Sequence, residues 1–129
     1  MIYSLLIVDD NALIRQTLRT YLEAKTDWLV CGEAENGKSA VDKVQELKRN
    51  VVILDFQMPV LNGLDAARLI AKSAPKTVIN MLTMHNCVQL RNEAQAAGVT
   101  EVISKCGAYG DHLLASLKTS SLRTSQRNG

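Results

Sequence analysis

Short apolar runs alternate along this chain with longer stretches in which apolar residues recur every three or four positions. Tyr3–Val8 has the length and character of a strand and is stopped by Asp9, Asp10 and Asn11. Asn11 or Asp10 can cap a helix over Ala12–Ala24, where Leu13, Ile14, Leu18, Tyr21 and Leu22 fall at helical spacing and Arg15, Arg19 and Glu23 lie elsewhere on the wheel. Trp28–Gly32 predicts a second strand, and Asn36-Gly37 opens a helix with Ala40, Val41, Val44 and Leu47 on its inward face. Val51–Leu54 is apolar at every position, as expected of a strand covered on both faces, and it ends on the carboxylate of Asp55. Pro59 and Asn62-Gly63 mark the loop that follows and the start of a third helix, about Asn62–Ser73, carrying Leu64, Ala67, Leu69 and Ile70 and closed by Pro75. Val78–Leu82 predicts a fourth strand ending on Thr83, and a helix near Val88–Ala97 stops at Gly98. Glu101–Ser104 predicts the fifth strand, ending on Lys105, and a last helix over roughly Tyr109–Leu122 runs into a polar tail.

Strands alternating with helices in this way predict an α/β fold, a doubly wound five-stranded parallel sheet with helices on both faces. Crossovers in such sheets are right-handed, and because the strands run parallel their carboxyl ends share one edge, where open α/β folds keep their ligand sites. Asp9 and Asp10, Asp55, Thr83 and Lys105 are the residues that four different strands deliver to that edge. Singly, either N-terminal aspartate reads as a helix cap and Lys105 as a solvated lysine. Capping, however, does not ask for all five at one edge.

Composition narrows the picture. With 129 residues and 47% hydrophobic content the chain can fill one two-sided core. We expect a single domain over 1–120, with 121–129 as a polar tail or the start of a linker. No run approaches the length of a membrane span, and MIYSLLIVDDN lacks both a basic flank and a small-residue cleavage site, so a cytoplasmic location is expected. Cys31, Cys87 and Cys106 are odd in number and not spaced as metal pairs, which fits reduced thiols. A net charge of +2 is too weak to mark a nucleic-acid surface.

Three carboxylates crowded at one edge repel, and a fold tolerates them when a pKa rises or a cation binds. Oxygen ligands without His or Cys favour a hard ion. Magnesium takes one or two carboxylates plus waters and phosphoryl oxygens, which is what this edge offers. Lys105 and Thr83 complete a phosphoryl-binding set as a point charge and a hydroxyl donor, and a carboxylate nucleophile placed among them suffices for phosphoryl transfer.

VDDN at 8–11, LDFQMP at 54–59, Gly63, Thr83 and Lys105 together resemble the receiver domain of bacterial two-component response regulators, over about residues 2–120. Arg15 within DDNALIRQTL, GEAENG at 32–37 and NGLDAARLI at 62–70 are most similar to the receivers of LuxR-type transcription regulators. The resemblance implies a flavodoxin-like sheet of strand order 2-1-3-4-5. It implies that Asp55 accepts a phosphoryl group, that Asp10, Asp55 and the backbone carbonyl of Gln57 hold Mg2+ with Asp9 helping through water, and that Thr83 and Lys105 hold the acyl phosphate. The implied phosphoryl donor is a sensor histidine kinase or a phosphotransfer protein. A homodimer is compatible with the subgroup, and DNA would be reached only through an output domain outside these residues. Phosphorylation would bias two states of the face around Thr83, the fourth helix and Val102. Gln57 and His85 would flank the phosphoryl group and tune the access of water to it.

The sequence departs from the family pattern at two places. Val102 stands where many receivers carry an aromatic, and Cys106 follows Lys105 where many carry a proline; a trans Lys105–Cys106 peptide is expected, because a cis bond without proline costs roughly 2.5–4 kcal/mol. A magnesium-dependent phosphohydrolase of the haloacid-dehalogenase kind would also use a strand-end aspartate, but Gln57 stands where its general acid is needed. A flavodoxin-like cofactor binder would set Asp9 and Asp10 against its ligand's phosphate. A phosphate-independent interaction module is the remaining alternative.

Overall fold

The computed structural model of the protein describes residues 4–47, 51–84, 87–105 and 109–128, with the side chains of 47 and 119–128 excepted. Five strands, β1 (Ser4–Val8), β2 (Leu29–Ala34), β3 (Val51–Asp55), β4 (Val78–Thr83) and β5 (Glu101–Ser104), alternate with five helices. The helices are α1 (Ala12–Lys25), α2 (Gly37–Leu47), α3 (Gly63–Ser73), α4 (Val88–Ala96) and α5 (Tyr109–Asn128). Every strand pair is parallel, in the order β2-β1-β3-β4-β5, as expected.

Two cores sandwich the sheet. Leu6, Val8, Val52, Leu54, Ile79 and Met81 point to one face, where Ala40, Val41 and Val44 of α2, Ala66, Ala67 and Ile70 of α3, and Leu90 and Ala94 of α4 cover them. Leu5, Ile7, Val51, Ile53, Val78, Leu82 and Ile103 point to the other, under Leu18 and Leu22 of α1 and Leu113 and Leu117 of α5. All residues of β3 and β4 are buried, because central strands of a parallel sheet have a helical layer on each side.

Several local expectations are corrected. β2 begins one residue later and ends two residues later than the apolar run, since the β1–β2 register shifts between Leu5 and Leu6 and leaves Cys31 as an extra residue. The bulge reverses the face parity, so that Val30 joins the α1/α5 core whereas Ala34 joins the opposite one. Strict alternation therefore fails at that point in the sequence. Leu13 and Leu69 are 69% and 45% exposed, because the apolar stripes of α1 and α3 are wider than the area each helix presents to the sheet. α5 continues to Asn128, beyond the expected end at Leu122, there being no glycine or proline between Gly110 and Gly129 to stop it. Tyr3, His85, Cys106 and the Lys105–Cys106 peptide lie outside the described residues, as does the Leu47 side chain.

Candidate functional site

Each side chain of the candidate site is delivered by a strand end and fixed by a local device. Asn11 is the N-cap of α1, its side chain accepting from the Leu13 and Ile14 amides. This leaves the two preceding aspartates free of capping duty. Asp9 is buried while Asp10 is exposed. The Asp9 Oδ1 accepts from the Asn11 amide at 3.0 Å, and its backbone amide donates to the Ala34 carbonyl at 3.1 Å.

Asp55 closes β3 and is also buried. Beyond it the chain turns sharply enough that the Gly63 amide donates to the Phe56 carbonyl at 2.8 Å. A Cβ on Gly63 would sit 2.5 Å from the Asp55 carbonyl oxygen and 2.8 Å from the Phe56 Cα, so only glycine permits this approach. Asn62 caps α3 by accepting from the Asp65 amide at 2.9 Å.

Lys105 joins the pieces. Its Nζ donates to Asp55 Oδ1 at 2.9 Å and to Asp9 Oδ2 at 3.1 Å, and its backbone amide donates to the Thr83 carbonyl at 2.8 Å. One carboxylate oxygen from each of Asp9, Asp10 and Asp55 lies within 4.8 Å of the other two. Burial pushes the Asp55 carboxyl above its ordinary value, the Lys105 hydrogen bond pulls it back, and the charges of Asp9 and Asp10 add to the push. Burial by itself would lower the Lys105 ammonium, but hydrogen bonds to Asp55 and Asp9 and their negative charges hold it above the usual lysine value. The lysine is thus fully charged, while the aspartates remain crowded. Among the described residues the cluster holds three carboxylates and neither His nor Cys, a set that suits a hard divalent cation such as Mg2+.

Asp9, Asp10, Asp55 and Lys105 are therefore brought together as the sequence suggested. Thr83 ends β4 beside them and is buried. Gln57 lies exposed in the β3–α3 loop. Sequence reasoning gave no role to Arg15, whose Nη1 donates to the Asp9 carbonyl at 2.7 Å, or to its partner Glu33. The available signal was a cation near the start of α1, where the helix dipole disfavours positive charge unless a partner holds it.

The response regulator receiver domain family model matches residues 5–118. The chain belongs to that family. Among curated relatives, a protein-glutamate methylesterase/protein-glutamine glutaminase of Carboxydothermus hydrogenoformans is 41% identical over 109 residues, 83% of this chain but 32% of that protein. The chain thus spans about a third or less of the length of the curated relatives it matches. Among solved structures, the response regulator domain of Thermotoga maritima CheB has a TM-score of 0.85 at 29% identity, covering 97% of this chain and 98% of that one. A LuxR-family response regulator from Aurantimonas sp. SI85-9A1 has a TM-score of 0.86 at 22% identity over 94% of this chain and 86% of that one, which is a likeness of fold. Receivers of both kinds are neighbours, so the LuxR-type subgroup is not singled out. No helix among the described residues is long and apolar enough to cross a membrane.

Proposed function

We propose that the chain is a phosphoacceptor switch in which Asp55 takes a phosphoryl group from the phosphohistidine of a sensor kinase or phosphotransfer protein. The observation that carries this reading is the Lys105 ammonium bridging Asp9 and Asp55 while Asp10 stands within reach of both. An Asp55 oxygen attacks the phosphorus, the O–P bond forms as the N–P bond to the donor histidine breaks, and the imidazole leaves. Lys105, already held at the nucleophile, pairs with an oxygen of the transferring group, and the Thr83 hydroxyl donates to another. Asp10, Asp55 and the Gln57 carbonyl would hold Mg2+, with Asp9 acting through water. The ion would supply neutralisation of phosphoryl charge. Gln57, exposed in the β3–α3 loop, would set how readily water hydrolyses the acyl phosphate.

The bound phosphate adds about −1.5 to −2 charges beside Lys105, and the partner-reading face around Thr83, α4 and Val102 shifts between two states in response. For output we favour chemotaxis over transcription, on the likeness to the Thermotoga CheB domain at 29% identity and to a Vibrio cholerae chemotaxis protein, CheY4, at 28%. Incubation with acetyl phosphate and Mg2+ followed by mass spectrometry tests the reading. One phosphoryl adduct on Asp55 is expected, and none in Asp55→Asn; absence of uptake would sink it. Sustained hydrolysis of a generic phosphate monoester would instead favour a phosphohydrolase, against which the exposed Gln57 argues for lack of a transferable proton.

A further inference from the structure

The receiver reading leaves unexplained how the exposed Asp10 is aimed at the ion. Asp9 is oriented through its own carboxylate, which accepts from the Asn11 amide and from Lys105. Asp10 is exposed, so its direction is governed through its backbone. The carbonyl of Asp9 belongs to the planar peptide that joins the two aspartates, and fixing that oxygen fixes the plane from which Asp10 departs.

Arg15 holds that oxygen. Its Nη1 donates to the Asp9 carbonyl at 2.7 Å while its Nε donates to Glu33 Oε1 at 3.0 Å. The second oxygen of Glu33 accepts from Arg19 Nη1 at 2.7 Å, and Arg19 Nη2 donates in turn to the Val30 carbonyl at 3.0 Å. The β2 bulge is what brings Glu33 to the α1 side, by reversing parity ahead of it. An arginine–glutamate pair between a helix and a strand is ordinarily a modest contribution to stability. Here one arginine goes further: the Arg15 side chain is 17% exposed against 41% for Arg19, and only Arg15 continues to the backbone of the acidic pair.

We propose that Arg15, anchored by Glu33, is a positioning residue for the cation-binding carboxylates, acting through the Asp9–Asp10 peptide. The inference rests on the receiver reading and adds to it a part outside the aspartates, the threonine and the lysine. A planar guanidinium can bond the carbonyl and Glu33 at once with fixed angles, whereas a lysine ammonium at the same place keeps the charge and loses the fork. Charge alone and positioning therefore predict different results for Arg15→Lys.

The test is Mg2+ affinity by isothermal titration of the whole chain, with the thermal midpoint of each variant measured alongside. Arg15→Lys and Arg15→Ala should both bind Mg2+ at least about tenfold more weakly, the loss typical of groups that orient metal ligands. Glu33→Ala should weaken binding in the wild type and add little in the Arg15→Ala background. Arg19→Ala removes the neighbouring pair without touching the Asp9 carbonyl, and should keep Mg2+ affinity near wild type whatever it does to the midpoint. Wild-type affinity in both Arg15 variants would overturn the proposal. So would equal weakening by the Arg15 and Arg19 variants in step with their midpoints, because the network would then be merely structural. If Arg15→Ala does not fold, Arg15→Lys and Glu33→Ala decide the matter in the same way. A wild-type chain that binds no Mg2+ would remove the receiver reading itself, and this proposal with it.

Discussion

At the scale of single residues, the loop after Asp55 carries strain that no apolar pattern reveals. Among the described residues Val60 is the only non-glycine with positive φ, at 71°, and the Leu61 amide donates back across it to the Pro59 carbonyl at 2.8 Å. This is a γ-turn of the rarer hand, and a β-branched residue there is uncommon. The conformation costs an L-residue roughly 1–2 kcal/mol, and glycine would give back about 0.5–1 kcal/mol through the entropy of the unfolded chain. Val60→Gly should therefore raise stability by about 0.5–1 kcal/mol in urea denaturation. An unchanged or lower midpoint would mean that the turn relaxes in solution. Asp55 carries a different tension, since its folded-state pKa is raised by burial first and by Asp9 and Asp10 after Lys105 has pulled it down. A raised carboxyl gives its full stability below the unfolded-state value near 3.8 and loses it as pH rises through the folded-state value. In the presence of a chelator, Asp55→Asn should melt higher than wild type at neutral pH, and the gain should fade as pH falls through the raised folded-state value and be gone below about 4. A lower neutral-pH midpoint for the variant would show that Lys105 outweighs the crowding.

At the scale of elements, what was legible in the sequence was whatever obeys one period. β3 up to Asp55 and β4 apart from Asn80 and Thr83 are apolar and emerged at nearly their true bounds, and Asn62-Gly63 and Gly98 marked helix ends that the structure keeps, Gly98 with a φ of 96°. β2 was legible as a strand but not in its bounds or face parity, because its bulge changes the period partway, and with that went the role of Glu33, whose side depends on the change. The interaction of Arg15 with a carbonyl could not be read either, since a backbone acceptor leaves no mark on a sequence. β4 shows the converse case, a polar residue inside an apolar run. Asn80 is wholly buried on the α1/α5 side of the sheet, and neither of its amide atoms has a partner among the described residues. Leaving such a group unpaired costs about 1–3 kcal/mol. Leucine has the same number of side-chain heavy atoms with the same branching. Asn80→Leu should therefore raise stability by about 1–2 kcal/mol once some repacking is allowed for, seen as a higher urea midpoint with the slope of the transition unchanged. A fall in the midpoint would show that the amide is hydrogen-bonded in solution.

At the scale of the whole molecule, a chain of net charge +2 gathers three carboxylates at one edge and covers one flank of them with a single ammonium. The sheet order makes this unavoidable, because β1, β3 and β5 all end there and no strand reversal can move one of those residues away. The stability of the domain and the loading of the site are thereby coupled. A cation that binds the folded state and not the unfolded chain adds about 2.7 kcal/mol when present at a hundredfold excess over its dissociation constant. Mg2+ should accordingly raise the melting temperature of the wild type progressively with concentration, and a chelator should reverse it. Beryllofluoride, which occupies the place of a phosphoryl group on the acceptor carboxylate, should add a further rise only with Mg2+ present. Asp55→Asn should start higher without metal, respond less to Mg2+ and not respond to beryllofluoride, so that the two melting curves cross as the site fills. The crossing is the informative result. Simple ionic screening would lift both proteins in parallel, and a domain that keeps these residues only for interaction would show no added rise with beryllofluoride. Curves that never cross would separate the crowded edge from phosphoryl binding and leave the carboxylates without the role their geometry supports.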